Sequence, residues 1–269
     1  TEITNVGRDE VESILEIRPG YLENCDVWIL QAGFPVAYRA LGTQSSYEQR
    51  ALKHRDFLVP IQLFPGQPAR VIVRLQSKKT IMIFSAELYE ATEFQEADSL
   101  YTLLWGAFFG LVAVMGIYNL FLFFAIRNTT YLYYCTYVLS MGFGRAIERR
   151  FTAQFFKVDT NAEYWLWQLN FVLAVSSLAL FTRGFLALKN SMPRLDRALV
   201  MVGFTFPCLA LVSVFTNHPL VLGLFGLLGL GLLLLCFTAA MGRMKQGSVE
   251  ARYYLTAMSF LLLSVLAFN

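Results

Sequence analysis

Arg39, Tyr47, Arg50 and His54, all ahead of residue 98, are the side chains whose types could take a small polar ligand. An aromatic ring stacks on a sugar ring, and a guanidinium donates paired hydrogen bonds to a carboxylate or to neighbouring hydroxyls. Trp28, Tyr38 and Arg74 could share the same concave sheet face; the plainer alternative makes Trp28 core and Arg74 an internal ion-pair partner. His54 has no second His and no Cys nearby, so no metal site is expected. The four cysteines contain no CxxC and read as small buried hydrophobes. Beyond residue 98 the acidic residues are Glu148, Asp159, Glu163, Asp196 and Glu250, scattered and not paired. No catalytic residue and no cofactor is therefore expected.

Two further pairs suit the passage of a signal. Tyr118 and Asn119 lie in the middle of Ser99–Ile126, a stretch without charge. An amide in hydrocarbon needs a partner, and a cross-helix hydrogen bond is worth about 0.6–2 kcal/mol. Asn119 is thus expected to lock two helices; a bond that changes on signalling and a polar cavity wall are the alternatives. Arg149 and Arg150 follow Arg145 and Glu148 at the end of the second apolar stretch. There an arginine snorkels to the interface, and Glu148 can pair with a neighbour three residues away. The other reading docks these cations on the acidic leading part of the chain, as a relay.

The elements that must hold these residues divide the chain in two. Hydrophobic residues make up 56% and charged ones 15% of it, against roughly 25% charged in soluble domains. Residues 1–98 hold ten Lys or Arg against fourteen Asp or Glu, and residues 99–269 hold twelve against five. The cationic surplus belongs to the apolar part, so it reports topology, and no nucleic-acid partner is expected.

Residues 1–93 read as strands: Val11–Ile17, Asp26–Gln31, Val36–Leu41, Phe57–Leu63, Arg70–Leu75 and Thr80–Leu88. Each is rich in β-branched and aromatic residues, and Pro19-Gly20, Gly33-Phe34-Pro35, Gly42 and Pro65-Gly66 punctuate them. Such a series argues an antiparallel jelly roll or β-sandwich, with further strands expected ahead of residue 1. Residues 94–98 read as a short polar link, stiff enough to pass a tilt onward.

Residues 99–269 read as a polytopic transmembrane helix bundle, since about 18 or more apolar residues cross a bilayer core of roughly 30 Å. The spans expected are 99–126, 131–144, 164–185, 198–215, 219–241 and 253–269. Gly106 and Gly110, and Gly223, Gly226 and Gly229, are expected to let helix backbones approach closely. With the leading domain outside, cytosolic loops hold Arg127, Arg183, Lys189, Arg194, Arg197, Arg243, Lys245 and Arg252, while Arg145, Arg149, Arg150 and Lys157 lie outside. The bias favours that orientation, with Glu148-Arg149-Arg150 against it. Six crossings would leave residue 269 outside, so a protein signalling to the cytosol needs a seventh span beyond it.

Particular motifs carry a resemblance. Gly116-Ile117-Tyr118-Asn119-Leu120-Phe121-Leu122-Phe123-Phe124, followed by Ile126-Arg127-Asn128-Thr129-Thr130-Tyr131-Leu132-Tyr133-Tyr134, resembles the first-span signature of the bacterial seven-transmembrane receptors with diverse intracellular signalling modules. Phe181-Thr182-Arg183-Gly184-Phe185-Leu186 with Pro193-Arg194-Leu195-Asp196 resembles a later stretch of that family. Ahead of the spans, Tyr21-Leu22, Asp26-Val27-Trp28-Ile29, Gly42, Arg50 to Phe57 and Val73-Arg74-Leu75-Gln76-Ser77 resemble the latter half of its jelly-roll sensor domain. Arg149-Arg150-Phe151 departs from the Gly expected after the second span.

The resemblance implies a receptor of the bacterial inner membrane. Its periplasmic domain would detect a carbohydrate-like or other small molecule, and its helices would relay the event to a cytosolic histidine kinase or diguanylate cyclase. It also implies a homodimer and a cytosolic signalling partner, beside the lipid bilayer itself. No kinase His box, ATP lid or G-G-[DE]-E-F occurs in this stretch. A transporter or channel is the alternative, and the spans lack the midplane charges and repeated halves that such proteins use. A membrane enzyme ranks third for want of paired carboxylates or a His cluster.

Overall fold

The computed structural model describes residues 2–20, 22–31, 33–42, 50, 52–76, 84–158, 160–216 and 219–267. Among these, strands β1 (Glu2–Thr4), β2 (Val11–Arg18), β3 (Asn24–Gln31), β4 (Phe34–Leu41), β5 (Phe57–Leu63), β6 (Pro68–Gln76) and β7 (Ser85–Glu90) come first. Helices α1 (Ala91–Ile126), α2 (Thr129–Glu148), α3 (Phe151–Phe156), α4 (Thr160–Phe185), α5 (Leu188–Ser191), α6 (Pro193–Thr216), α7 (Pro219–Lys245) and α8 (Val249–Ala267) follow. The chain divides into two compact units, Thr1–Phe109 with Gly144–Trp167, and Gly110–Phe143 with Gln168–Asn269.

In the first unit the strands make two antiparallel sheets, β1-β6-β3-β4 and β5-β2-β7. The alternation that suggested strands is the pleat at work: Val27 and Ile29 turn to the core while their neighbours turn out. Leu15 and Ile17 of β2, Phe57 and Val59 of β5, and Val71 of β6 join them in one buried cluster, so the sheets share a core. Each such side chain contributes about 1.5–3 kcal/mol when fully buried. Gly33 (φ 85°) and Gly66 (φ 68°) take the turns after β3 and β5; nothing lies within 4 Å of a Cβ there, so the left-handed backbone alone selects glycine. The expected strand from Thr80 is described only from Ser85 onward, and residues 77–83 lie outside the described ones.

Residues 94–98 are not a link. They are the first turns of α1, which runs unbroken from Ala91 to Ile126. Ala91, Glu93, Gln95, Glu96 and Ala97 are strong helix formers with no Gly or Pro among them, and Glu93 complements the helix dipole in the first turn. Polar composition alone suggested a connection there.

In the second unit α4, α6, α7 and α8 bury a shared apolar cluster around Leu178, Leu199, Phe206, Leu232 and Met258. Thr182 of α4 bonds the Tyr254 hydroxyl of α8 at 2.6 Å and the Cys236 thiol of α7 at 3.4 Å. A Cβ would meet the side chain of Leu139 at Gly116, of Val112 at Gly142, of Thr130 at Gly184 and of Met192 at Gly242, so these glycines make room for neighbouring side chains. Gly106, Gly110, Gly223 and Gly226 have no neighbour within 4 Å of a Cβ among the described residues, while Gly229 has the Phe171 ring at 3.5 Å, so of these five glycines only Gly229 shows the expected packing there. Over the described residues, Ala91–Ile126, Ala162–Phe185 and Gly226–Lys245 are long and apolar enough to cross a membrane.

Candidate functional site

The connection from β4 to β5, described at residue 50 and from 52 to 56, carries Arg50, Lys53, His54, Arg55 and Asp56. Gly20 admits it: a Cβ there would stand 2.1 Å from the Arg55 carbonyl oxygen, so only glycine lets the two backbones pass. The Gly20 amide donates to Asp56 Oδ1 at 3.2 Å, pinning the connection to the end of β2. Arg50 donates to the His54 carbonyl at 3.0 Å, and its guanidinium lies 4.7 Å from the Phe57 ring centroid.

From this loop Arg55 reaches α1. Its guanidinium is only 3% exposed, pairs with the Asp98 carboxylate, and donates to the Thr102 hydroxyl at 3.3 Å. It lies 4.4 Å from the Tyr101 ring centroid and 5.6 Å from that of Phe151. His54 is also buried and sets its Nε2 3.1 Å from the same Asp98 carboxylate. Its Nδ1 accepts the Asp56 backbone N–H at 3.1 Å, so in the neutral ring Nε2 carries the hydrogen and donates to Asp98. Burial holds His54 below its usual 6.5, and the Arg55 charge pushes the same way, against the opposing pull of Asp98. One carboxylate at the head of the first helix therefore collects two side chains from the β domain.

Residues of α3 and the start of α4 lie next to this contact, Phe151 being the ring that Arg55 reaches. Arg150 enters α3 in the left-handed conformation (φ 60°) and pairs with Glu163. Thr152 donates to Glu163 as well, at 2.5 Å. The two charged side chains are 6% and 5% exposed, so the pair is held inside protein. Phe151 meets Phe109 edge to face and Trp105 at a tilt, and Trp105 tilts against Phe109, with centroids 5.5–6.1 Å apart. Such rings accept a cation on their faces, as Arg55 does on Phe151 and Arg149 does on Trp105 at 5.5 Å.

The residues expected to take part are spread over several places. Arg39 lines a cavity of about 600 Å³ with Glu12, Gln31, Gln62 and Val36, a lining that does not include Arg50 or His54. Tyr47 lies outside the described residues. Arg50 and His54 are buried at the α1 junction instead. Arg149 and Arg150, expected either in solvent at the interface or against the acidic leading domain, find Trp105 and Glu163; Glu148 pairs with Arg145 at 2.7 Å, as its spacing suggested. Asn119 makes no cross-helix bond among the described residues: its amide donates to the Met115 carbonyl of its own helix at 2.8 Å, and Tyr118 is exposed. Arg55, Asp98, Thr152 and Glu163 are not among the site residues that the sequence suggests. The signal was present: Asp98 is the last charge before a long apolar run, and Arg55 adjoins His54.

Residues 101–269 match the family described as 7TM diverse intracellular signalling, and residues 1–90 match the one described as 7TMR-DISM extracellular 2. No curated protein and no solved structure matches the chain.

Proposed function

Since the chain belongs to the 7TM diverse intracellular signalling family, whose members are transmembrane signalling receptors, we propose that the Arg55–Asp98 junction couples its extracellular domain to its helices. The observation that carries this reading is the buried Arg55 guanidinium, which leaves the β domain and ends on α1, a helix long and apolar enough to cross a membrane. A ligand shifts a conformational equilibrium only through differential affinity for its two states. The β4–β5 connection is the element so biased, because a change in its position moves Arg55 and His54 against Asp98. Continuous helix from Ala91 onward then passes the movement along α1 without a flexible joint.

The ligand in this reading is a carbohydrate-like or other small polar molecule held at the cavity lined by Arg39, Gln31 and Gln62, where one cation and two amides offer donors and acceptors to hydroxyls. The β-sandwich is a periplasmic jelly roll, and six spans of a seven-span bundle follow it in the bacterial inner membrane. The receptor works as a homodimer, and its output is a histidine kinase or a diguanylate cyclase. Two measurements test this. Val6, 96% exposed, is replaced by cysteine and Lys245 by cysteine, and intact spheroplasts are treated with a membrane-impermeant maleimide. Labelling at position 6 alone, with position 245 reacting only after permeabilisation, supports the topology; the reverse pattern refutes it. Titration of the full chain in detergent with neutral mono- and disaccharides then supports the ligand class if binding is seen and Arg39→Ala abolishes it. Binding that is absent, or indifferent to Arg39→Ala, removes that assignment.

A further inference from the structure

We propose that Glu16, His54 and Asp56 form a divalent-cation site, selective for zinc-like metals, that clips the β4–β5 connection to strand β2 beside the Arg55–Asp98 junction. One carboxylate oxygen of Glu16, one ring nitrogen of His54 and one carboxylate oxygen of Asp56 lie within 4.8 Å of one another. Ligands of a single tetrahedral zinc ion stand about 3.3–3.6 Å apart, given bonds of about 2.0–2.2 Å, so the site closes by at most about 1.5 Å. One imidazole with two carboxylates is a donor set for zinc or a neighbouring transition metal, and a poor one for magnesium or calcium.

An independent observation points to a cation. Glu16 is 1% exposed, and its Oε1 is buried without a hydrogen-bond partner among the described residues. A buried carboxylate oxygen left unpaired is costly. Glu16 also stands directly across from Glu87 in the β2–β7 register, and like charges so placed repel. The cation that answers Glu16 in this structure is Arg18, which donates to Oε2 from a side chain that is 40% exposed. A guanidinium that much in solvent can withdraw and yield the carboxylate to a metal.

The remaining contacts fit ligation through His54 Nδ1. That nitrogen holds a lone pair, now shared with the Asp56 N–H. A metal takes the lone pair and releases the amide. The other ring nitrogen already donates to Asp98, the arrangement in which a ligating histidine is oriented by a carboxylate behind it. Asp56 Oδ1 accepts from the Gly20 amide at 3.2 Å, and Oδ2 lies 3.6 Å from Arg55 Nε, so Asp56 is held on the loop and not aimed at solvent. Metal on His54 would fix the ring that touches Asp98, so occupancy and the position of α1 are linked.

The test uses the full chain in detergent with Cys208, the exposed thiol, replaced by serine. Cobalt(II) is titrated first, then displaced with zinc, and residues 54–58 are followed by hydrogen exchange. One equivalent of cobalt is expected, with visible ligand-field bands and no thiolate charge-transfer band, and zinc slows exchange in the loop. Glu16→Gln and Asp56→Asn each weaken zinc binding tenfold or more, while melting in EDTA stays near that of the parent. No metal uptake, a thiolate-type spectrum, or affinity unchanged in both variants would overturn the proposal. If a variant fails to melt cooperatively in EDTA, the parent's zinc-dependent exchange decides: slowing at 54–58 supports the site, and its absence overturns it.

Discussion

Replacing Asp98 by asparagine leaves the Arg55 guanidinium in a pocket where it is 3% exposed, without its main counter-charge. Removing one member of a buried ion pair costs about 3–5 kcal/mol. Here Asp56 at 3.6 Å, the Thr102 hydroxyl and the Tyr101 ring remain with the cation, which places the loss near about 3 kcal/mol, the low end of that range. The converse change, Arg55→Met, keeps the alkyl stem and leaves Asp98 with the His54 N–H, on a carboxylate that is 25% exposed and can reach water. It should cost less, about 1–2 kcal/mol. The double variant leaves no charge unpaired, so its loss should fall about 2 kcal/mol short of the sum of the single losses, within the range of coupled neighbours. Deuterium exchange of the full chain in detergent reads this locally, at residues 52–58 and 94–102. Since every 1.4 kcal/mol is tenfold, Asp98→Asn should speed opening there about a hundredfold. Equal effects of the two single changes, strict additivity, or unchanged exchange at 94–102 would refute the reasoning.

Burial lowers the His54 pKa from 6.5, so the unfolded chain binds a proton that the folded chain resists. Its stabilising contribution is complete above about pH 6.5 and is lost as pH falls from there through the folded value; loop protection measured by exchange should drop over that window, and His54→Gln should flatten the drop. Gly20→Ala sets a Cβ 2.1 Å from a backbone oxygen and should cost about 2 kcal/mol or more, read as a lower melting temperature with faster exchange at residues 52–58. Arg150→Met leaves Glu163, 5% exposed, with the Thr152 hydroxyl but without its paired guanidinium and should cost about 3 kcal/mol, whereas Arg149→Ala gives up a ring contact with Trp105 worth about 0.5–1 kcal/mol; a melting series that ranks them the other way would refute this reading. Asn119→Leu gives up a bond to Met115 within its own helix and should leave stability within about 0.5 kcal/mol, with insertion intact and signalling unchanged in a reporter strain.

The strands from Val11 to Leu75 were legible because a half-buried strand writes its pleat into the residue pattern, as Val71 and Val73 against Arg70, Ile72 and Arg74 do. The helices after residue 98 were legible because a membrane demands apolar length. The junction was harder. Residues 94–98 are polar on the page, and only their lack of Gly and Pro hinted at helix. Arg55 and Asp98 are far apart in sequence, and no spacing rule links a loop arginine to the head of a helix. His54 was singled out for ligand binding, yet its partner is that same aspartate. Asn119 was given a cross-helix role because hydrocarbon punishes a lone amide; the backbone carbonyl four residues earlier answers that demand locally. Nothing in the sequence marks Glu16 as buried, yet it is 1% exposed and lies beside His54 and Asp56.

The central claim is that the β domain reports to the first helix through Arg55 and Asp98. Its most direct test is the output of the intact receptor in cells for Asp98→Asn and Arg55→Met, normalised to receptor abundance in the membrane. The account predicts basal output shifted from wild type in both variants at equal abundance; output indistinguishable from wild type in both would contradict it.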